Sequence, residues 1–268
     1  FSLSDGSFVE CSPNHLWKVE KLWGRTKELV LRAHEIADDF LYESPGGQIQ
    51  YRYRLPVCQP VTFSEWVDTL RPMDPYLLGL MIGDGHTNTR GLKITTADQE
   101  VVDAFKQLLP EGVIVGAYDG EFSYNIVDAE GRYRKGKNRI SRAWLLMEAA
   151  GITRRRSWEK SVPDAYKFAP PDVRLAVLQG LMDSDGSATG GAASFYSTSK
   201  RLADDVVFMV QSLGGRARQN YINPSYEGYR DVYSVYLALP AHMRPFRISR
   251  KLDKYSKRKN ALGRTIVA

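Results

Sequence analysis

Two acids draw attention because each closes an apolar run and is followed by glycine: Asp84 in LLGLMIGDG at 77–85 and Asp185 in LQGLMDSDG at 178–186. The small residues Gly79 and Gly180, with Gly83 and Ser184, allow two helices to approach closely, and packing the two copies together sets the acids side by side. Paired carboxylates repel unless a cation sits between them, and an all-oxygen site suits a hard divalent ion, Mg²⁺ in a cell. Asp84 and Asp185 are therefore the expected metal ligands and catalytic acids, and the adjoining Gly83 and Ser184 are counted with the metal site. Such a centre suits phosphodiester hydrolysis, in which metal ions polarise phosphoryl oxygens and activate water without any Ser or Cys nucleophile. A single Asp-Gly could simply cap a core helix. The repeat of the pattern argues for chemistry.

The elements around the acids repeat as well. After Asp84 come GLKITT at 91–96, read as a strand, and DQEVVDAFKQLL at 98–109, read as an amphipathic helix. After Asp185, SFYSTS at 194–199 reads as a strand and KRLADDVVFMVQSLGG at 200–215 as a helix with Leu202, Val206, Met209, Val210 and Leu213 on one face. FSYNIVD, GRARQNYI and RDVYSVYLAL supply further strands, SRAWLLMEAAGI another helix, and AHMRPFRISRKLDKY closes the second half. A period this long indicates two copies of a lobe rather than a solenoid. The expected fold class is α+β, with two pseudo-symmetric lobes.

Upstream, residues 1–20 alternate around the turn Asp5-Gly6 and read as a β-hairpin, 26–43 are mixed, and SPGG at 44–47 precedes renewed alternation in QIQYRYRLPV. Pro56, Pro60, Pro72 and Pro75 punctuate a connector, and the closing NALGRTIVA returns to β-prone residues able to pair with the N-terminal segment. The 268 residues carry 43% hydrophobic and 25% charged residues, an ordinary globular composition for which disorder is not the expectation. Apolar runs fall short of a membrane span, Cys11 and Cys58 form no disulfide framework, and a reducing, cytoplasmic setting with no membrane partner is expected. A net charge of +6 and six cations in GRYRKGKNRISR at 131–142 point towards a polyanion, although a solvated basic loop would look the same.

The paired runs resemble the two motifs of single-chain LAGLIDADG homing endonucleases, over roughly 74–256. The resemblance implies that Asp84 and Asp185 bind the catalytic metals and that the motif helices form the interface between lobes of about 74–165 and 170–256. Ile82 stands where an acid is common, whereas Asp183 keeps it in the second motif. In RRRSWEKSVPDAY, Lys160 precedes a Val-Pro pair and matches the family's active-site lysine; Lys251 is its expected partner, with Lys254 as the alternative. Family likeness further implies a β-saddle in the DNA major groove. Arg90, Lys93, Tyr124, Arg132, Arg134, Lys135, Lys137, Arg216, Arg218, Gln219, Tyr221, Arg230 and Tyr233 are the candidate contacts, arginines and glutamine to bases and loop lysines to phosphates. A monomer acting on duplex DNA follows, with cleavage of the uninterrupted allele leaving short 3′ overhangs.

LSDGSFVECSPNHLWKV at 3–19 resembles the second conserved block of inteins, in which a Ser or Thr lies three residues before a His. Here these are Ser12 and His15, the latter implied to polarise the upstream splice junction. GRTIVA resembles the strand that resumes the splicing (Hint-type) fold, so 1–63 plus 257–268 form a partial β-rich module around an endonuclease at 64–256. Neither a first-block nucleophile nor a terminal His-Asn pair is present, so the stretch reads as an excerpt of a longer intein flanked by host exteins. Two rivals keep the scaffold: a DNA-binding regulator without cleavage, against which Asp84, Asp185 and Lys160 argue, and an RNA-splicing maturase, against which the residues around His15 argue.

Overall fold

A computed structural model describes residues 1–23, 28–67, 69–89, 91–118, 120–130, 141–223, 230–255 and 262–268. Its centre is a pair of helices, α2 (Pro75–Gly83) and α6 (Pro171–Ser184). Every residue of α2 from Tyr76 to Gly83 is buried, so the helix has no polar face and must be enclosed on all sides. Asp74 starts it, accepting hydrogen bonds from the backbone N–H groups of Tyr76 and Leu77, with Pro75 at the first helical position where no N–H is needed.

The α2–α6 contact is built on missing side chains. A Cβ on Gly79 would stand 2.3 Å from the Val177 carbonyl oxygen, and one on Gly180 would stand 2.2 Å from the Tyr76 carbonyl oxygen. Each glycine thus faces the carbonyl three residues before the other glycine, a reciprocal contact of the kind two related surfaces make.

Each helix leads into a four-stranded antiparallel sheet. In the first, β6 (Gly85–His86), β7 (Lys93–Thr95), β8 (Val113–Tyr118) and β9 (Ser123–Asp128) lie in the order β6-β7-β9-β8. In the second, β10 (Gly186–Thr189), β11 (Ala192–Ser197), β12 (Arg216–Ile222) and β13 (Val232–Ala238) lie in the corresponding order β10-β11-β13-β12. The amphipathic helices α3 (Gln99–Leu108) and α7 (Lys200–Ser212) each lead from an inner strand, β7 or β11, to the edge strand β8 or β12, burying Val101, Val102 and Phe105 in one and Leu202, Val206, Met209 and Val210 in the other. With α4 (Arg142–Ala149) and the short α5 (Asp164–Lys167), these elements share one core that runs from Leu77 and Phe105 through Leu181 to Phe195 and Phe246.

The remaining residues form a smaller sheet, β14-β5-β1-β2, from β1 (Leu16–Lys21), β2 (Glu28–Arg32), β5 (Tyr53–Leu55) and β14 (Arg264–Thr265). Beside it lie α1 (Ala33–Asp39) and a hairpin of β3 (Leu41–Glu43) and β4 (Ile49–Tyr51). Its core is thin: Leu3, Val19, Ile36, Tyr53 and Ile266. The closing segment joins it, with Thr265 opposite Arg54 and Ile266 bridged to Leu3.

Three local expectations changed. The hairpin expected at Asp5-Gly6 is a tight turn, Leu3 N–H to Ser7 carbonyl, with one bridge between Ser2 and Phe8, and the first long strand begins only at Leu16. AHMRPFRISRKLDKY yields only α8 (Ser249–Leu252), because Pro245 and the extended run to Ile248 delay the helix. Strands β8 and β10 carry too little polar alternation to be read in advance. The proline-marked connector, moreover, packs on the second half: Phe63 stacks with Phe208 and meets Phe168 edge-on, and Val61 N–H bonds the Ser212 carbonyl. Among the described residues, no helix is long and apolar enough to cross a membrane.

Replacing Gly79 or Gly180 by Ala forces backbone apart from backbone, so either change should lower stability by about 1–3 kcal/mol. Gly46, where an added Cβ meets nothing closer than 4.0 Å, is the control and should be nearly silent. Urea denaturation midpoints of the three variants check this.

Candidate active site

The close helix contact determines where the acids stand. Asp84 and Asp185 occupy the C-cap positions of α2 and α6 with matching backbone, φ −86°, ψ 0° and φ −85°, ψ 0°. Their N–H groups bond the Leu80 and Leu181 carbonyls, closing the last turn in the same way. A Cβ on Gly83 would strike the Ser184 side chain and come within 3.5 Å of an Asp185 carboxylate oxygen, which places the two helix ends, and their acids, against each other.

Both carboxyls are pushed up in pKa. Burial is the largest cause for Asp84, the neighbouring Asp185 adds to it, and the result is about 6 against an ordinary 3.8. Burial likewise raises Asp185, opposed by Lys160 and Lys251. Among the described residues, neither carboxylate has a hydrogen-bond or ion-pair partner. Two half-buried, mutually repelling, donor-free carboxylates fit a divalent cation. No group of three or more His, Cys, Asp or Glu side chains is assembled among the described residues. Remaining ligands would be water and substrate oxygens, as hard small cations commonly use.

The two lysines come to the same place from opposite ends of the chain. Lys160 Nζ donates to the Gly83 carbonyl at 2.5 Å. Lys251 Nζ donates to the Met182, Asp183 and Ser184 carbonyls at 2.8, 2.7 and 3.0 Å. A cation at a helix C-terminus satisfies carbonyls that have no partner within the helix. Lys251 is buried and uses all three N–H groups in this cap, whereas Lys160 keeps two. Burial lowers the pKa of both. The carbonyls of Gly83 and Ser184 thus accept from ammonium groups. Among the described residues, Lys254 makes no hydrogen bond or ion pair with the helix ends.

An open cleft of about 290 Å³ lies beside the acids, lined by Gly83, Ser157, Lys160, Asp185, Tyr196, Ser197, Thr198 and Val232. Strand register sorts the remaining candidates. In the second sheet Arg218 faces Tyr236 across the ladder, and Arg216 faces Ala238, on the side opposite the core-facing pairs Ala217–Leu237 and Gln219–Val235. Gln219, Tyr221 and Tyr233 share the register of those core-facing pairs, although Tyr221, near the strand's end, is exposed, donates to Asp231 and lies near the Tyr233 ring. In the first sheet Lys93 is opposite Asn125 on the outer side, while Tyr124 is opposite the buried Ile94. Arg230 lies 3.5 Å over the Trp158 ring, next to the cleft. Arg90, Arg132, Arg134, Lys135 and Lys137 lie outside the described residues. Sequence reading missed the exposed Tyr196 and Tyr236 and the polar Asn220, which share the outer face with Arg218; period-two counting from Arg218 would have found Asn220, whereas Tyr196 and Tyr236 are placed there only by the register between strands.

At the other end, Ser12 and His15 share one exposed turn: His15 N–H bonds the Ser12 carbonyl, and the imidazole meets the Trp17 ring edge-on at 5.7 Å.

Residues 172–257 match the family described as LAGLIDADG-like domain. Among curated proteins, the replicative DNA helicase DnaB of Mycobacterium intracellulare is 29% identical over 145 residues, 54% of this chain and 19% of that protein. The replicative DNA helicase DnaB of Nostoc sp. is 25% identical over 221 residues, 78% of this chain and 23% of that protein. The chain spans about a fifth of the length of these relatives. Among solved structures, mesophilic variants of the homing endonuclease I-DmoI give a TM-score of 0.42 at 18% identity, covering 63% of this chain and 89% of that one. I-DmoI in complex with DNA and Mn gives 0.41 at 17%, covering 62% and 89%.

Because Asp84 is raised from 3.8 to about 6, its neutral form is favoured in the folded protein, and its contribution to stability is lost as pH rises through that window. Metal-free Asp84→Asn should therefore be more stable than the parent at pH 7, by up to about 3 kcal/mol, and the difference should shrink as pH falls below the raised value. Thermal melts in EDTA at both pH values read the difference.

Proposed function

We propose that this chain, whose residues 172–257 match a LAGLIDADG-like domain, is a site-specific endonuclease that hydrolyses both strands of duplex DNA with Mg²⁺. One observation carries the reading: Asp84 and Asp185, 101 positions apart (185 − 84), end two helices in the same conformation and meet with no donor to neutralise them. They would hold the metal, which polarises phosphoryl oxygens and generates a hydroxide nucleophile when bound. Lys160, with donors to spare beside the cleft, would stabilise negative charge developing on the phosphate. Lys251 would shape the site by capping α6. The outer sheet faces, with Lys93, Arg216 and Arg218, would lie against the duplex.

The setting we propose is an intein. Ser12 and His15 sit together in one turn of a β-rich unit that the closing segment completes, and the match to about a fifth of two replicative helicases supports an element carried inside a host protein, with a helicase as that host. The target would then be the uninterrupted host gene.

Asp84→Asn and Asp185→Asn should each abolish double-strand cleavage while leaving DNA affinity intact, because the amide keeps the shape but loses the anion a divalent ion requires. Lys160→Ala should slow cutting by about 10²–10³-fold. A Mg²⁺ cleavage assay on DNA with the uninterrupted helicase junction, run beside a binding assay, decides it. Parent-rate cutting by either Asp variant removes the assignment.

On the DNA face, Arg218→Ala should cost about 1–3 kcal/mol at particular base pairs, whereas Gln219→Ala, on the core-side register, should leave specificity unchanged. Binding to a panel of single-base target variants reads the difference.

A further inference from the structure

The segments that carry Lys160 and Lys251 are each tied down by the half of the molecule to which they do not belong. Lys160 reaches the end of α2 with its side chain, but its main chain is docked on α7. The Lys160 carbonyl accepts from Ser199 Oγ at 2.7 Å, and Val162 N–H donates to Asp205 at 2.9 Å. Lys167 donates to the other Asp205 oxygen at 3.1 Å. Ser199 and Asp205 are both buried. A buried carboxylate satisfied by one main-chain N–H and one ammonium holds its partners far more firmly than a surface pair.

The converse holds at the other end. Lys251 caps α6 with its side chain, while its neighbours dock on α3: Ser249 N–H donates to Glu100 at 3.1 Å, and Arg250 makes a two-pronged pair with Asp98 at 2.9 and 2.7 Å. Asp98 and Ser199 occupy the same place, the N-cap of the helix following the first strand pair of each sheet. Asp98 makes no cap bond to its own helix and gives its carboxylate to Arg250 instead.

We propose that Ser199 and Asp205 on α7, and Asp98 and Glu100 on α3, are positioning residues that hold the lysine borne by the opposite half, so that neither helix end receives its lysine unless both halves are docked. The α7 side, being buried, is the stronger; the α3 side is exposed and screened by salt. The consequence for the nuclease rests on the function proposed above, but the straps themselves do not.

The test is amine-reactive labelling of the metal-free full chain, with peptide mapping of Lys160 and Lys251. Asp205→Asn and Ser199→Ala should raise labelling of Lys160 by about tenfold, the loss of a hydrogen bond at a charged or buried group, and leave Lys251 at its parent rate. Asp98→Asn with Glu100→Gln should do the reverse, by a smaller factor. Ser199→Thr, which keeps the hydroxyl, should restore protection of Lys160. If Asp205→Asn does not fold, the Ser199 pair carries the test alone. Labelling that stays at the parent rate, or that rises at both lysines in every variant, overturns the proposal. Cutting assays then separate the two ideas. Crossed labelling in a chain that never cuts DNA keeps the straps and removes the nuclease. Parent-like labelling in a chain whose cutting needs Asp84 keeps the nuclease and removes the straps.

Discussion

The contact of α2 with α6 through Gly79 and Gly180 is the constraint from which the rest follows. With a hydrogen in place of each side chain, two main chains come within van der Waals reach, and nothing larger could lie between them. The closeness is transmitted down both helices to Gly83 and Ser184 and so to the acids at their ends. It also explains why α2 is apolar on every side: one flank meets α6 and the others meet the first sheet and its helices.

Bringing two carboxylates together in a partly buried place is unfavourable, and the surroundings compensate only in part. Lys160 and Lys251 lower the acids' pKa from a distance while giving their hydrogen bonds to helix-end carbonyls. The acids are left with a field and no donors, the state in which an added cation gains most. Asp183, two residues before Asp185 and also raised by burial, is handled differently: Tyr76 and the Arg247 N–H both donate to one of its oxygens, making it a structural acid.

The asymmetry between the halves has a similar origin. Lys251 is saturated by three carbonyls, whereas Lys160 bonds one; the α7 strap is buried and the α3 strap exposed. The two helices meet through matching glycines, while the side chains around their two ends differ. The small N-terminal sheet stands apart from this logic, with a small apolar cluster of its own around Val19, Ile36 and Tyr53 and the closing segment pairing into it.

What the sequence by itself determined was the local grammar: an apolar run, small residues four apart, an acid and a glycine, twice, each followed by a strand and an amphipathic helix. These are short-range patterns with periods of 2 and 3.6, and they located Asp84, Asp185, α3 and α7 without coordinates. Only the tertiary structure decided which strand face Arg218 and Gln219 take, since a shift of one residue exchanges the faces and the alternation near those positions is weak. Only it decided that Lys251 spends its donors on a helix end, that Asp98 serves Arg250 rather than its own helix, and that the connector joins the second half. The reason is physical: each of these pairs brings together groups from 67 to 152 positions apart, and no local pattern encodes a partner chosen by packing.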